Sequence, residues 1–151
     1  MFRGSKDQYA NRASLGVLIA SYSPFGVSIF LYYLSVLVLL VLYLFPGSLI
    51  GYFLYDDLGR QPNLISNAAG TSINHFAYFT YLSIIGLLSY LKDDNFKKVL
   101  IFLLFSSIIL EISHLIIPNR SFQYLDLIAN FVGVLLGYCI IIIYKKWKKN
   151  E

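Results

Sequence analysis

Four apolar runs, at 27–45, 73–91, 99–117 and 124–144, take up more than half of the chain. Each is close to the roughly 20 residues that carry a helix across the hydrocarbon core of a bilayer. Pro46 closes the first run and Pro118 the third. Of the 151 residues 58% are apolar and only 13% are charged, about half the usual charged share of a soluble domain. That balance excludes a soluble enzyme of the common kind, and disorder, which needs low hydrophobicity and high charge. The expected fold is an all-α integral membrane protein with four transmembrane helices in an antiparallel bundle. A second folded domain would have little chain left to build with. Cys139 is the single cysteine, so the chain alone forms neither a disulfide nor a thiolate metal site.

The basic residues set an orientation. Arg3, Lys6 and Arg12 precede the first run, Lys92, Lys97 and Lys98 lie between the second and third, and Lys145, Lys146, Lys148 and Lys149 follow the fourth. These are ten of the 12 Lys and Arg residues, and only Arg60 and Arg120 fall on the other side. The positive-inside rule then puts both termini in the cytoplasm. The net charge of +4 reads as an anchor to anionic lipid and not as a nucleic-acid surface. The organisation expected is a cytoplasmic or interfacial segment at 1–26, a membrane domain at 27–144 and a basic cytoplasmic tail at 145–151. The first run begins too late, runs too long and lacks a cleavage site for a signal peptide, and reads as an uncleaved signal anchor.

Two outer connections remain, a long one at 47–72 and a tight one at 118–123. In the long one, Leu49 to Tyr55 is too apolar for free solvent. It reads as a short interfacial segment or as an extension of the first helix. Residues 63–72 read as loop, and the mildly apolar stretch 15–20 as a segment resting on the membrane surface.

Charged groups inside membrane spans cost roughly 2.5–3.5 kcal/mol at mid-bilayer, so each one asks for a reason. Glu111 lies seven residues before Pro118, roughly 10 Å below the outer end at 1.5 Å per residue. His114 shares its face at i+3, and Ser107 continues that face inward. Arg120 follows in the turn, and Asp126 and Asn130 share a face of the fourth run. Gly133 and Gly137 extend that stripe as small residues suited to close helix packing. The short connection makes the third and fourth runs antiparallel neighbours. Asn74 and His75 open the second run at the same level, with Tyr78 one turn further in. The cytoplasmic half is expected to be plain hydrocarbon.

The run from Glu111 through His114, Pro118, Arg120, Asp126 and Asn130 to Gly133 and Gly137 resembles the signature of the VanZ-like family. So does the second run with Asn74, His75 and Tyr78. The resemblance covers about residues 71–137. His114 stands where the family usually has glutamine, and Thr71 and Ser72 stand where it has an aspartate–lysine pair. It implies a bacterial envelope setting in the inner (cytoplasmic) membrane and a link to teicoplanin resistance, without a settled reaction.

The candidate residues of an outward polar pocket are therefore His75, Tyr78, Glu111, His114, Arg120, Asp126 and Asn130. Arg120 is the natural anion contact, with a fork suited to phosphate or carboxylate. Glu111 and Asp126 are expected to hold Arg120, His114 and Asn130 in position. Partners expected are the lipid bilayer and a lipid-linked glycan precursor or glycopeptide, with no nucleic acid and no cofactor. His75, Glu111, His114 and Asp126 are ligand types zinc accepts, but Glu111 and His114 would need the right partners across helices, the glutamine usual in the family at the second position is a poor ligand, and no metal is expected. An intramembrane hydrolase or transferase using these carboxylates and histidines is the alternative. A buried cluster that merely fixes helix register is the plainer one.

Overall fold

The computed structural model describes residues 24–62 and 70–150, and every regular element among them is a helix. In chain order these are α1 (Pro24–Leu44), α2 (Leu49–Tyr55), α3 (Gly70–Ser89), α4 (Phe96–Ser113) and α5 (Tyr124–Lys149). The surface expectation at 15–20 and most of the loop expected at 63–72 lie outside the described residues.

α1 stops where Pro46 and Gly47 turn the chain, Gly47 at φ +91°. α2 is therefore a separate helix and not an extension of α1. Ser48 caps it by accepting from Gly51 N at 2.9 Å, and Ser48 N donates to the Leu58 carbonyl at 2.7 Å. Residues 56–62 thus fold back over α2, so closely that a Cβ on Gly51 would stand 1.7 Å from the Arg60 carbonyl oxygen. Gly51→Ala is expected to expel this loop while the bundle stays folded. Limited proteolysis should then cut within 56–62 at a higher rate than in the native chain.

Three expected boundaries shift. Gly70, Thr71 and Ser72 belong to the first turn of α3 and not to a loop. α4 ends at Ser113, before Pro118, because the ladder gives way to i to i+3 bonds, His114 N to Glu111 O and Leu115 N to Ile112 O. The last connection is accordingly 114–123. α5 continues through the expected tail to Lys149, with Lys146, Lys148 and Lys149 in its last turn, where cations complement the helix dipole.

Contacts fix the helix directions. Gly133 lies against Phe76 and Thr80, and Gly137 against Thr80 and Ser83, so α3 and α5 run parallel. Their interface is the most extensive in the fold. Tyr43 meets His75 while Tyr33 meets Tyr90, so α1 runs antiparallel to α3. Asn130 meets Ser107, and Gln123 meets Glu111, so α4 runs antiparallel to α5. The end of α1, the start of α3, the end of α4 and the start of α5 therefore share one end of the bundle. The lysines of 92–98 and 145–149 occupy the other.

The distribution of polarity is inverted relative to a soluble domain. Ser107, Glu111 and Asn130 are fully buried, and Asp126 and His114 nearly so. Phe30, Leu37, Ile101, Phe105, Ile128 and Ile143 point outward and are more than half exposed. Contiguous apolar surface on this scale marks an interaction with an apolar environment. α1 and α5 have the length and apolarity to cross a membrane, with mean hydropathy of 2.5 and 2.4. α3 and α4 are less apolar because they carry Asn74 and His75, and Lys97, Lys98 and Glu111. The lysine-bearing half is not plain hydrocarbon: Tyr33 and Tyr90 hydroxyls are hydrogen-bonded at 2.9 Å, and Ser83 and Ser89 are buried there.

Candidate functional site

At the end of the bundle away from the lysines, one side chain from each long helix meets the others. Asn130 of α5 is the hub. Its Oδ1 accepts from the Tyr43 hydroxyl of α1 at 2.9 Å, and its Nδ2 donates to the Ser107 carbonyl of α4 at 3.4 Å. Tyr43 Oη also lies 2.7 Å from His75 Nδ1 of α3. His75 stands between two carboxylates, Nδ1 3.7 Å from Glu111 Oε2 and Nε2 3.7 Å from Asp126 Oδ2.

The carboxylates are held from outside the cluster. Asp126 Oδ1 accepts from the Ser72 hydroxyl at 2.5 Å, and Glu111 Oε1 accepts from the Gln123 backbone N–H at 3.1 Å. His114, at the C-cap of α4, stacks on the Tyr43 ring with 5.3 Å between centroids. Its Nδ1 sits 3.5 Å from Glu111 Oε1. Glu111 Oε2 and His114 Nε2 are buried without a hydrogen-bond partner.

Arg120 takes another role than its sequence position suggested. Arg120 makes no ion pair with Glu111 or Asp126 among the described residues. Its Nε donates to the Phe45 carbonyl at 3.3 Å and its NH2 group to the Leu42 carbonyl, capping the free carbonyls at the end of α1. The reason is reach: the 114–123 connection carries Arg120 toward α1 and away from its own neighbours. Partial desolvation lowers its pKa from the ordinary value, with the Glu111 charge opposing, and the guanidinium stays cationic. Tyr78 donates its hydroxyl to the Ser35 carbonyl at 2.8 Å, tying α3 to α1, and also lines the cleft beside the cluster.

A cleft of about 130 Å³, room for several waters, reaches this cluster between α1, α2 and α3. His75, His114 and Arg120 supply its polar wall, and Leu39, Leu42 and Ile50 its apolar wall. Gly133 and Gly137 line the α3 contact of α5 and not the cleft. Sequence reading missed Tyr43, Ser72 and the Gln123 backbone. With 13 tyrosines in the chain and no charge on Tyr43, nothing in the sequence singles it out. Ser72 could have been found: it lies one turn before His75 on the face that meets α5.

The site offers an acid–base set in one place, two carboxylates and two histidines, beside a cation and an apolar wall. Such a set can hold a polar head group, a proton or a metal ion.

The family model described as VanZ/LLP1 matches residues 19–145, and the chain belongs to that family. No curated protein and no solved structure gives a significant match.

Proposed function

We propose that this VanZ-like protein spans the bacterial cytoplasmic membrane four times, with both termini in the cytoplasm. Its outward-opening cleft binds the polar head of an envelope amphiphile, such as a lipid-linked glycan precursor. The observation that carries this reading is the inverted polarity: apolar side chains cover the bundle while ionisable ones converge at the end opposite the lysines. A lipid in the surrounding bilayer can lay its chain along that surface and its head in the cleft. Arg120 meets the phosphate there, using the guanidinium donors that the α1 carbonyls leave free. The teicoplanin link implied by the family follows if the bound head group belongs to a cell-wall precursor.

The test is binding of a polyprenyl-diphosphate glycan to the purified protein in nanodiscs. Arg120→Gln is expected to weaken binding at least tenfold, and Arg120→Lys by less, with melting temperatures followed alongside. Equal affinity in a folded Arg120→Gln variant withdraws the reading. Teicoplanin susceptibility unchanged by deletion and by overexpression withdraws the resistance role. One observation favours an enzyme as the second reading: the unpartnered Glu111 Oε2 stands beside His75 as an available base. Turnover of the same lipid, lost in Glu111→Gln, would establish it.

A further inference from the structure

The Tyr43 hydroxyl has one proton and two neighbours able to accept it. Asn130 Nδ2 is committed to the Ser107 carbonyl, so Oδ1 is the end that faces Tyr43 and takes that proton. His75 Nδ1 must then donate to Tyr43 Oη across their 2.7 Å contact. A neutral His75 in this tautomer has a bare lone pair at Nε2, and Nε2 faces Asp126 Oδ2 at 3.7 Å. Two acceptors stand face to face.

Glu111 repeats the pattern. One oxygen is held by Gln123 N–H, and the other, on a residue that is 0% exposed, has no hydrogen-bond partner. Asp126 likewise has one oxygen held, by Ser72. Each of the three residues is oriented through one atom and presents another to its neighbours. One ligand atom from each lies within 4.8 Å of the other two. If ionised, the two carboxylates would bring two negative charges into a buried site, and among the described residues their only ion-pair partners are histidines. Uncompensated buried charge of that size is unfavourable.

We propose that His75, Glu111 and Asp126 bind one divalent cation of the zinc class, with a remaining coordination position open to the cleft. One imidazole and two carboxylates are donors that zinc accepts; ligands at its bond lengths stand about 3.4 Å apart, against 3.7 Å from His75 Nε2 to Asp126 Oδ2 and at most 4.8 Å between the other pairs. Tyr43, Ser72 and the Gln123 N–H are the outer groups that fix tautomer and orientation, as around metal-bound histidines and carboxylates generally. The three ligands come from three helices, the partnering across helices that a metal site here requires. The proposal shares its pocket with the amphiphile reading but needs no lipid.

The experiment uses the full chain without an affinity tag, stripped with chelator in detergent and titrated with Zn²⁺. About one zinc per chain is expected to survive desalting, and zinc should raise the melting temperature. His75→Gln and Asp126→Asn should lose that stoichiometric zinc. Tyr43→Phe leaves all three ligands in place and should weaken binding about 10–100-fold, so a ligand variant that fails to fold does not decide the question. A wild-type chain that retains no zinc overturns the proposal, as does unchanged affinity in folded His75→Gln or Tyr43→Phe. Lipid binding by chelator-stripped protein is measured separately, so the two readings fail independently.

Discussion

Gly137→Leu is expected to prevent the bundle from closing, and Gly133→Ala to lower its stability by about 1–3 kcal/mol, the range for overpacking a tight core. In an exposed helix, glycine to alanine would instead gain about 1 kcal/mol from propensity, so packing decides the sign. A Cβ on Gly133 would stand 2.7 Å from the Phe76 carbonyl oxygen, and one on Gly137 2.6 Å from Ser83 Cβ. Both obstacles are backbone or the first side-chain atom, and neither moves without shifting α3. Gly86 gives the contrast: a Cβ there meets the Tyr32 ring at 2.6 Å, and a ring edge yields more readily. Gly86→Ala should therefore be the mildest of the three. Denaturant titration in one detergent orders them, and a Gly133→Ala protein as stable as the native chain would refute the close α3–α5 approach.

That approach also decides where the site lies, because Asp126, Asn130, Gly133 and Gly137 form one buried stripe on α5. The stripe was legible in the sequence, since i, i+4 and i+3 spacings among polar and small residues in an apolar run have few other uses. The distance of Glu111 from its helix end was not: the run reads as continuing to Pro118, whereas α4 ends at Ser113, just beyond Glu111. The role of Arg120 was not legible. Sequence proximity to Glu111 and Asp126 suggested an ion pair, whereas the early end of α4 lets the connection swing Arg120 onto the Leu42 and Phe45 carbonyls. A helix end set by a tightening of the last turn, five residues ahead of the proline, leaves little trace in composition. Tyr43 was invisible for a different reason. Its hydroxyl matters only through partners 32 and 87 residues away, and long-range partners are a product of packing.

The second large loss is expected at Asn130, whose side chain connects α1, α4 and α5. Asn130→Leu keeps the approximate volume but removes the bonds to Tyr43 and to the Ser107 carbonyl. Interhelical hydrogen bonds in membranes average about 0.6 kcal/mol and reach about 1.7, so the two together should contribute about 1–3 kcal/mol. Tyr43→Phe is expected to lose a similar amount, since it leaves Asn130 Oδ1 and His75 Nδ1–H both unpaired in a buried site. Because the two variants break the same bond, their double mutant should fall short of additivity by about 1 kcal/mol. Strict additivity would mean that the Tyr43–Asn130 bond does not organise the cluster. The proton reports independently of stability. With Asn130 gone, the Tyr43 hydroxyl is free to donate to His75 Nδ1, and the imidazole proton moves to Nε2, facing Asp126. In chelator-stripped protein, ¹⁵N shifts of His75 should therefore show Nδ1–H in the native chain and Nε2–H in Asn130→Leu. A tautomer that does not change would break the link from Asn130 through Tyr43 to the face of His75 that meets the carboxylates.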